Sequence, residues 1–297
     1  MSFPRSISSL LQDPPPALAF EISEAGIAAA RIGKKAETAF QPIKPGTLSV
    51  SPLHDNVLLP DELFAAVRAL APQNGSRKRR DAVLILPDFC ARTAVLDFDE
   101  FPGDPKEQLS LVRFRVKRSV PFDVETAAVS YYPQPAGGKK YDVVVSISPI
   151  DIVARYEAPF RAAGLNPGLV TTSGISALHL VQETVPVVVA KLNGRVLTIM
   201  VASKGMLKLV RSLELPARSL EDIASDLYPT FVYVEDNLNT RAEKLLLCGF
   251  GDLAGAARER FERELGIEAD VVRSPQGAVS ETDAGLLGYL AGVGVLA

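Results

Sequence analysis

ALAFEISEAGIAAARIG, residues 17–33, consists of two apolar runs around a Ser-Glu-Ala-Gly segment, the pattern of a β-hairpin. The pattern returns downstream, where VPVVVAKL (185–192) and RVLTIMVAS (195–203) flank Asn193-Gly194, a strong two-residue hairpin signal. Lys204-Gly205 then leads into a third run, LKLVRSLEL (207–215). Both hairpin regions are followed by alternating helix and strand patterns. This internal echo predicts two related α/β lobes facing a cleft.

Periodicity places the remaining elements. In PDELFAAVRAL (60–70), Leu63, Val67 and Leu70 recur at helical spacing, and AVLIL (82–86) reads as a short buried strand. A β-α-β-β-α-β order follows: TAVLDFDEF (93–101), a helix after Asp104, AAVSYYPQP (127–135), DVVVSIS (142–148), DIVARYEAPFRAAG (151–164) and GLVTTS (168–173). Asp104 suits an N-cap and Pro105 the first helical position. Leu109, Val112, Val116 and Val120 form that helix's apolar stripe, with Arg113, Arg115, Lys117 and Arg118 mostly opposite. Gly164 stops the second helix, and Pro159 within it predicts a kink. Further on, Ser219 caps a helix reaching Leu238, with a second kink expected at Pro229. KLLLCGFGDLAGAARERFERELG (244–266) is a strand, a glycine turn and a helix, EADVVRS (268–274) a last strand, and a closing helix lies near 282–295.

The chain has 297 residues, 47% hydrophobic and 23% charged, enough to bury a sizeable core over two lobes. A net charge of −3 argues against a protein that coats nucleic acid. Cys90 and Cys248 have no CxxC spacing and read as buried thiols of a cytosolic protein. With only His54 and His179 present, a His-rich metal site is excluded and a Ser–His relay is disfavoured. The apolar region 185–202 is interrupted by Lys191, Asn193 and Arg195, and the closing apolar stretch falls short of the roughly 20 residues of a membrane span. Residues 1–16 read as a tail rather than a secretory signal, and Arg77–Arg80 as a solvated basic loop.

With its elements in this order, the chain resembles the PilM family of type IV pilus assembly proteins, actin-like relatives of FtsA and of the cytoplasmic region of GspL. The resemblance runs from about residue 17 to the C-terminus. Its most telling stretches are LPDFCARTAVLDFDEFP (86–102), KEQLSLVRFRVKRSVPFDVETAAVSYYP (106–133) and SPIDIVARYEAPFRAAGLNPGLV (148–170). It implies an actin-like, ribonuclease H-like bilobed α/β fold: a tail at 1–16, a first lobe at 17–182 with a subdomain inserted at 87–167, and a reduced second lobe at 183–297. In the family's phosphate hairpins, Glu21 matches an Asp and Ser23 a Gly, while Ala28 replaces a frequent Lys. Lys191 stands where the second hairpin has Asp, and Asn193 where it has Gly. CGFGDLAG (248–255) keeps two turn glycines, Gly249 and Gly251. A hard cation wants oxygen ligands, and a lysine ammonium repels it. The span 215–244 has room for one helix, where the family holds a subdomain that covers adenine. The expectation is a degenerate nucleotide site without turnover or cofactor; ATP and Mg²⁺ belong to the alternative of a working ATPase.

The resemblance further implies a cytoplasmic protein held at the inner membrane by the N-terminal tail of a PilN-like protein. That tail would dock in a groove between the insert and the first lobe, whose residues no motif names. Arg113, Arg115, Lys117 and Arg118 are a second candidate contact. Pilus assembly ATPases and further copies of the chain are additional candidate partners; nucleic acid is not. A GspL-like role in type II secretion shares this logic.

Overall fold

The computed structural model describes residues 15–33, 35–72 and 80–295. The expected tail, except Pro15 and Pro16, lies outside the described residues, as do Arg77, Lys78 and Arg79 of the basic loop.

The two hairpin regions each become half of a five-stranded sheet. The first contains β1 (Leu18–Ser23), β2 (Gly26–Ile32), β3 (Ala36–Pro42), β4 (Arg80–Leu86) and β8 (Leu165–Thr172), in the order β3-β2-β1-β4-β8. The second contains β9 (Val187–Asn193), β10 (Val196–Ser203), β11 (Met206–Glu214), β12 (Lys244–Cys248) and β13 (Ala269–Val271), in the order β11-β10-β9-β12-β13. In both, the hairpin strands pair antiparallel and the later strands join in parallel. The echo in the sequence is thus a repeated topology. One register differs from expectation: Asn193 pairs with Val196, so the two-residue loop is Gly194–Arg195 rather than Asn193-Gly194. Gly194 has φ +57° and no positive φ occurs at Arg195, which matches a turn with glycine at its first central position.

The period of two sorts each strand into faces. Leu18, Phe20 and Ile22 point outward, under α1 (Pro60–Leu70) and α3 (Ile150–Ala162), where they pack with Leu63, Val67, Tyr156 and Phe160. Val188, Ala190 and Ile199 likewise pack under α5 (Leu220–Leu238) and α6 (Ala254–Leu265), with Ile223, Leu227 and Phe261. The opposite faces look toward each other. Ala19, Ala28 and Ala30 meet Val187, Val189 and Met200 around α4 (Ser173–Ala177) and α7 (Ala284–Gly292). The small side chains on the first sheet leave room for α7. Both α3 and α5 run through their internal prolines as single helices. Between 215 and 244, α5 is the only helix, as expected.

The insert is narrower than 87–167. Its sheet is β5 (Arg92–Phe98), β6 (Ala127–Gly137) and β7 (Lys140–Pro149), in the order β5-β7-β6. One face carries α2 (Pro105–Val116), whose N-cap Asp104 accepts from the N–H groups of Lys106 and Glu107. The predicted second helix and last strand are α3 and β8, and both pack into the first lobe. The inserted unit therefore closes at Pro149, because Tyr156 and Phe160 find their apolar partners in the lobe. Nor does the insert simply project. The buried Gln134 of β6 donates to Leu207 O at 2.8 Å and accepts from Leu207 N at 2.9 Å, pairing with the edge strand β11 of the second lobe. Lys208 and Asp142 form an ion pair across the same junction at 2.7 Å.

Helix α7 lies close against α4 because Gly288 has no side chain. A Cβ there would stand 2.1 Å from Ser176 O and 2.6 Å from Ala177 Cα. Among the described residues, no helix is long and apolar enough to cross a membrane. Gly288→Ala should destabilise the protein by about 2–3 kcal/mol in urea unfolding, since backbone must move to admit the methyl group. Gly103→Ala, where a Cβ meets nothing within 4 Å, should change stability by less than about 0.5 kcal/mol.

Candidate functional site

Among the described residues, the buried Asp, Glu, Lys and Arg side chains are three, Glu21, Asp88 and Lys191, and they meet between the lobes. Glu21 alternates with Phe20 and Ile22 and so points from β1 to the inner face. Lys191 alternates with Ala190 and Leu192 and points from β9 toward it. Asp88 opens the 3-10 turn Asp88–Cys90 that follows β4. Lys191 Nζ donates to Asp88 Oδ2 at 3.0 Å, and Thr198 Oγ1 donates to the same oxygen at 2.9 Å. Asp88 Oδ1 accepts from the Gly174 N–H at 2.5 Å. The Ser173 hydroxyl donates to Glu21 Oε1, and the Leu286 N–H donates to Glu21 Oε2 at 2.7 Å, so the carboxylate sits at the N-terminal end of α7.

The electrostatics follow from that geometry. Burial pushes the Glu21 carboxyl above its ordinary range, opposed by the Lys191 ammonium and the hydrogen bonds from Ser173, Leu286 and Gly285. Burial works against the charge on Lys191, but Asp88 and Glu21 outweigh it and hold the ammonium above the usual lysine range. Burial also pushes the Cys248 thiol up to about 12, and burial together with Asp88 raises Cys90, so both thiols are protonated at neutral pH. Each oxygen of both carboxylates accepts at least one hydrogen bond from the protein, and the neighbouring cation is a fixed ammonium. In this arrangement a lysine ammonium stands beside both acids, and it would repel a magnesium ion brought to them.

The other expected nucleotide residues scatter. Ser23 closes the β1–β2 turn through its own hydroxyl, bonded to Gly26. Ala28 lies directly across from Glu21 and is covered by the α7 layer. Asn193 ends β9, and its Nδ2 is buried without a partner among the described residues. At the adjoining turn, the Gly194 N–H donates to Glu281 Oε2 at 2.9 Å, a side chain also paired with Arg218 at 3.1 Å. Gly249 lets the β12–α6 turn approach β9, since a Cβ would lie 2.5 Å from Leu192 O; Gly251 stands clear of such contacts. Sequence reasoning missed Asp88, Ser173, Thr198 and Glu281. Asp88 alone left a signal, an acid directly after the apolar run AVLILP.

A second feature lies between the insert and the first lobe. A groove of about 250 Å³ is bounded by β6 on one side and β8 on the other, with Cys90, Ala91 and Ile175 lining it as well. Each bounding strand is the edge of its sheet. Pro133 and Pro135 fit on the outward side of β6, where no ladder donor is needed, and by the two-residue period Val129 and Tyr131 turn their N–H groups the same way. The insert's contribution to the wall alternates Ala128, Ser130 and Tyr132, paired with Ser148, Ser146 and Val144 of β7. Among the described residues, no charged side chain lines the groove.

The basic face of α2 is partly neutralised. Arg113 is bonded to Val124 O at 3.0 Å and to Glu125 at 3.1 Å, and Arg115 lies over the Phe98 ring and pairs with Asp97 at 3.4 Å. Lys117 and Arg118 are exposed. Two of the four cations are thus engaged within the insert, and two are not paired among the described residues.

Lys191→Met should cost about 3–5 kcal/mol in urea unfolding, because it strands Asp88 as an uncompensated buried charge. Lys191→Met combined with Asp88→Asn should recover a large part of that loss. The pH dependence has a definite sign. With its folded-state pKa raised above 10.5, Lys191 contributes stability that is complete below pH 10.5 and is lost as the pH climbs through the raised value. Subtracting the Lys191→Met profile from the wild-type profile should expose that alkaline limb.

No family model and no curated protein matches the sequence. Solved structures do match its fold. A chain of a PilM-PilN type IV pilus biogenesis complex aligns with a TM-score of 0.75 at 17% identity, over 96% of this chain and 98% of its own. A Bacteroides thetaiotaomicron protein with an actin-like ATPase fold and unknown function aligns with a TM-score of 0.56 at 13% identity, over 91% and 94%. The cytoplasmic domain of EpsL, from the type II secretion system of Vibrio cholerae, aligns at 0.49 and 14% identity, over 77% and 80%. The chain has the actin-like fold, built over nearly its whole length as the matched chain of the PilM-PilN complex is built.

Proposed function

We propose that this protein is an actin-like scaffold of a type IV pilus or related secretion machine, and that it holds the N-terminal tail of a PilN-like inner-membrane protein in the groove between β6 and β8. The observation that carries this reading is the groove itself: uncharged, open, and flanked by two unpaired strand edges. An extended peptide gains main-chain hydrogen bonds from such an edge and side-chain specificity from the alternating wall. The match to a chain of a PilM-PilN complex supports the choice of partner. Docking of that tail would place the protein at the cytoplasmic face of the inner membrane.

The proposal includes the absence of ATP turnover. It is supported by the closed hydrogen bonding of Glu21 and Asp88, by Lys191 at the acid position, and by the single helix α5 between 215 and 244. Glu281 adds to this, since it already takes the turn N–H of Gly194 that an anion would need.

A peptide copying the N-terminal tail of the PilN-like protein should bind the full chain with micromolar or tighter affinity in calorimetry. Ser130→Arg, at an exposed position of the wall, should weaken it at least about tenfold without changing the melting temperature. No heat from the authentic peptide would remove the scaffold reading. Mg-ATP should leave the melting temperature unchanged and yield no phosphate above a protein-free blank; turnover abolished by Lys191→Ala would establish the ATPase alternative instead.

A further inference from the structure

Among the described residues the groove is lined by the first lobe and the insert alone, yet polar contacts at two places beside it reach the second lobe. The first is made by Asp88. Cys90 and Ala91, just after it, line one part of the groove. Its Oδ1 holds the Gly174 N–H at 2.5 Å, and Thr172 and Ile175, flanking that peptide, line another part. One carboxylate therefore fastens two segments of the groove to each other. Its other oxygen is held by Lys191 at 3.0 Å and Thr198 at 2.9 Å, both on the second lobe, and Thr198 is itself steadied by Ser212 at 2.9 Å. The second contact is Gln134, two residues beyond Tyr132 on the groove-forming strand β6, with its amide paired to both backbone groups of Leu207.

We infer that Asp88 and Gln134 are positioning residues of the groove, and that the second lobe sets its affinity for an extended chain without touching that chain. Three donors hold the Asp88 carboxylate, and loss of the Thr198 hydroxyl leaves Oδ2 on the flexible Lys191 ammonium alone, which widens the range of carboxylate orientations and loosens the start of α4 from the turn at Cys90. The second lobe, freed of nucleotide chemistry, serves as the buttress. The inference rests on the groove being the peptide site proposed above.

Thr198→Val tests it, because the change is nearly isosteric and leaves the Lys191–Asp88 pair intact. With the PilN-like tail peptide as probe, Thr198→Val should weaken binding by about fivefold, the effect of one hydrogen bond, and Thr198→Ser should restore it. Phe261→Leu, in the α6 core of the same lobe, should lower the melting temperature at least as much and leave peptide affinity unchanged. Hydrogen exchange on the peptide-free chain supplies a second readout: Thr198→Val should speed exchange selectively at 88–92 and 173–176, and Phe261→Leu should not. Unaltered affinity together with unaltered local exchange in Thr198→Val would overturn the inference. Failure of the peptide to bind the wild-type chain counts against the groove reading, and the exchange pattern then decides separately whether Asp88 positions these segments.

Discussion

The buried contact between Lys191 and Asp88 is the constraint on which the two-lobed arrangement turns. A charge taken out of water costs several kcal/mol unless a partner of opposite sign and further hydrogen bonds replace the solvent. Neither lobe supplies both partners. Lys191 comes from β9, Asp88 from the turn after β4, and Glu21 from β1. Separating the lobes would return these charges to water but expose the apolar layer around α4 and α7, while any closed arrangement that misaligned them would bury an unpaired charge. The closed arrangement is therefore enforced from within the chain.

That closure explains the small residues around it. The inner face of the first sheet carries Ala19, Ala28 and Ala30, and α7 meets α4 at Gly288, so the layer between the sheets is thin. Thinness brings β1 and β9 near enough for Glu21 to act on Lys191, and it sets the N-terminal end of α7 against the Glu21 carboxylate. The apolar packing and the ion network are thus two consequences of one geometry. Larger side chains on that face would separate the charges that they also bury.

The insert extends the same logic outward. Its antiparallel sheet is finished on one face by α2, and its other face, with β6 at the edge, leaves a groove against β8. An open edge strand usually invites unwanted pairing, and proteins blunt such edges with prolines and charges. Here Pro133 and Pro135 blunt the far part of β6, while Ala128–Tyr132 stay open where the groove runs. Gln134, between the two prolines, docks the strand on the second lobe. An open edge and its stop are written in one strand.

Much of this protein was determined by local sequence. The hairpins at 17–33 and 185–203, the Asp104 and Ser219 caps, and the glycine stop at 164 each depend on neighbours a few residues away, and each appears where the sequence places it. The resemblance carried by the insert anticipated the actin-like fold, and the shortness of 215–244 anticipated the lone helix α5. Other features depend on strands far apart in sequence. That α3 and β8 belong to the lobe, and that the loop is Gly194–Arg195, follows from which apolar faces and backbone groups find partners, and periodicity does not encode partners. Glu21 and Lys191 were visible as residues out of pattern, but Asp88, 103 positions from Lys191, was not, because an isolated acid after a strand looks the same whether it meets water or a buried ammonium. The groove was equally hidden: it belongs to the space between two edge strands, and only packing of the insert against the first lobe creates that space.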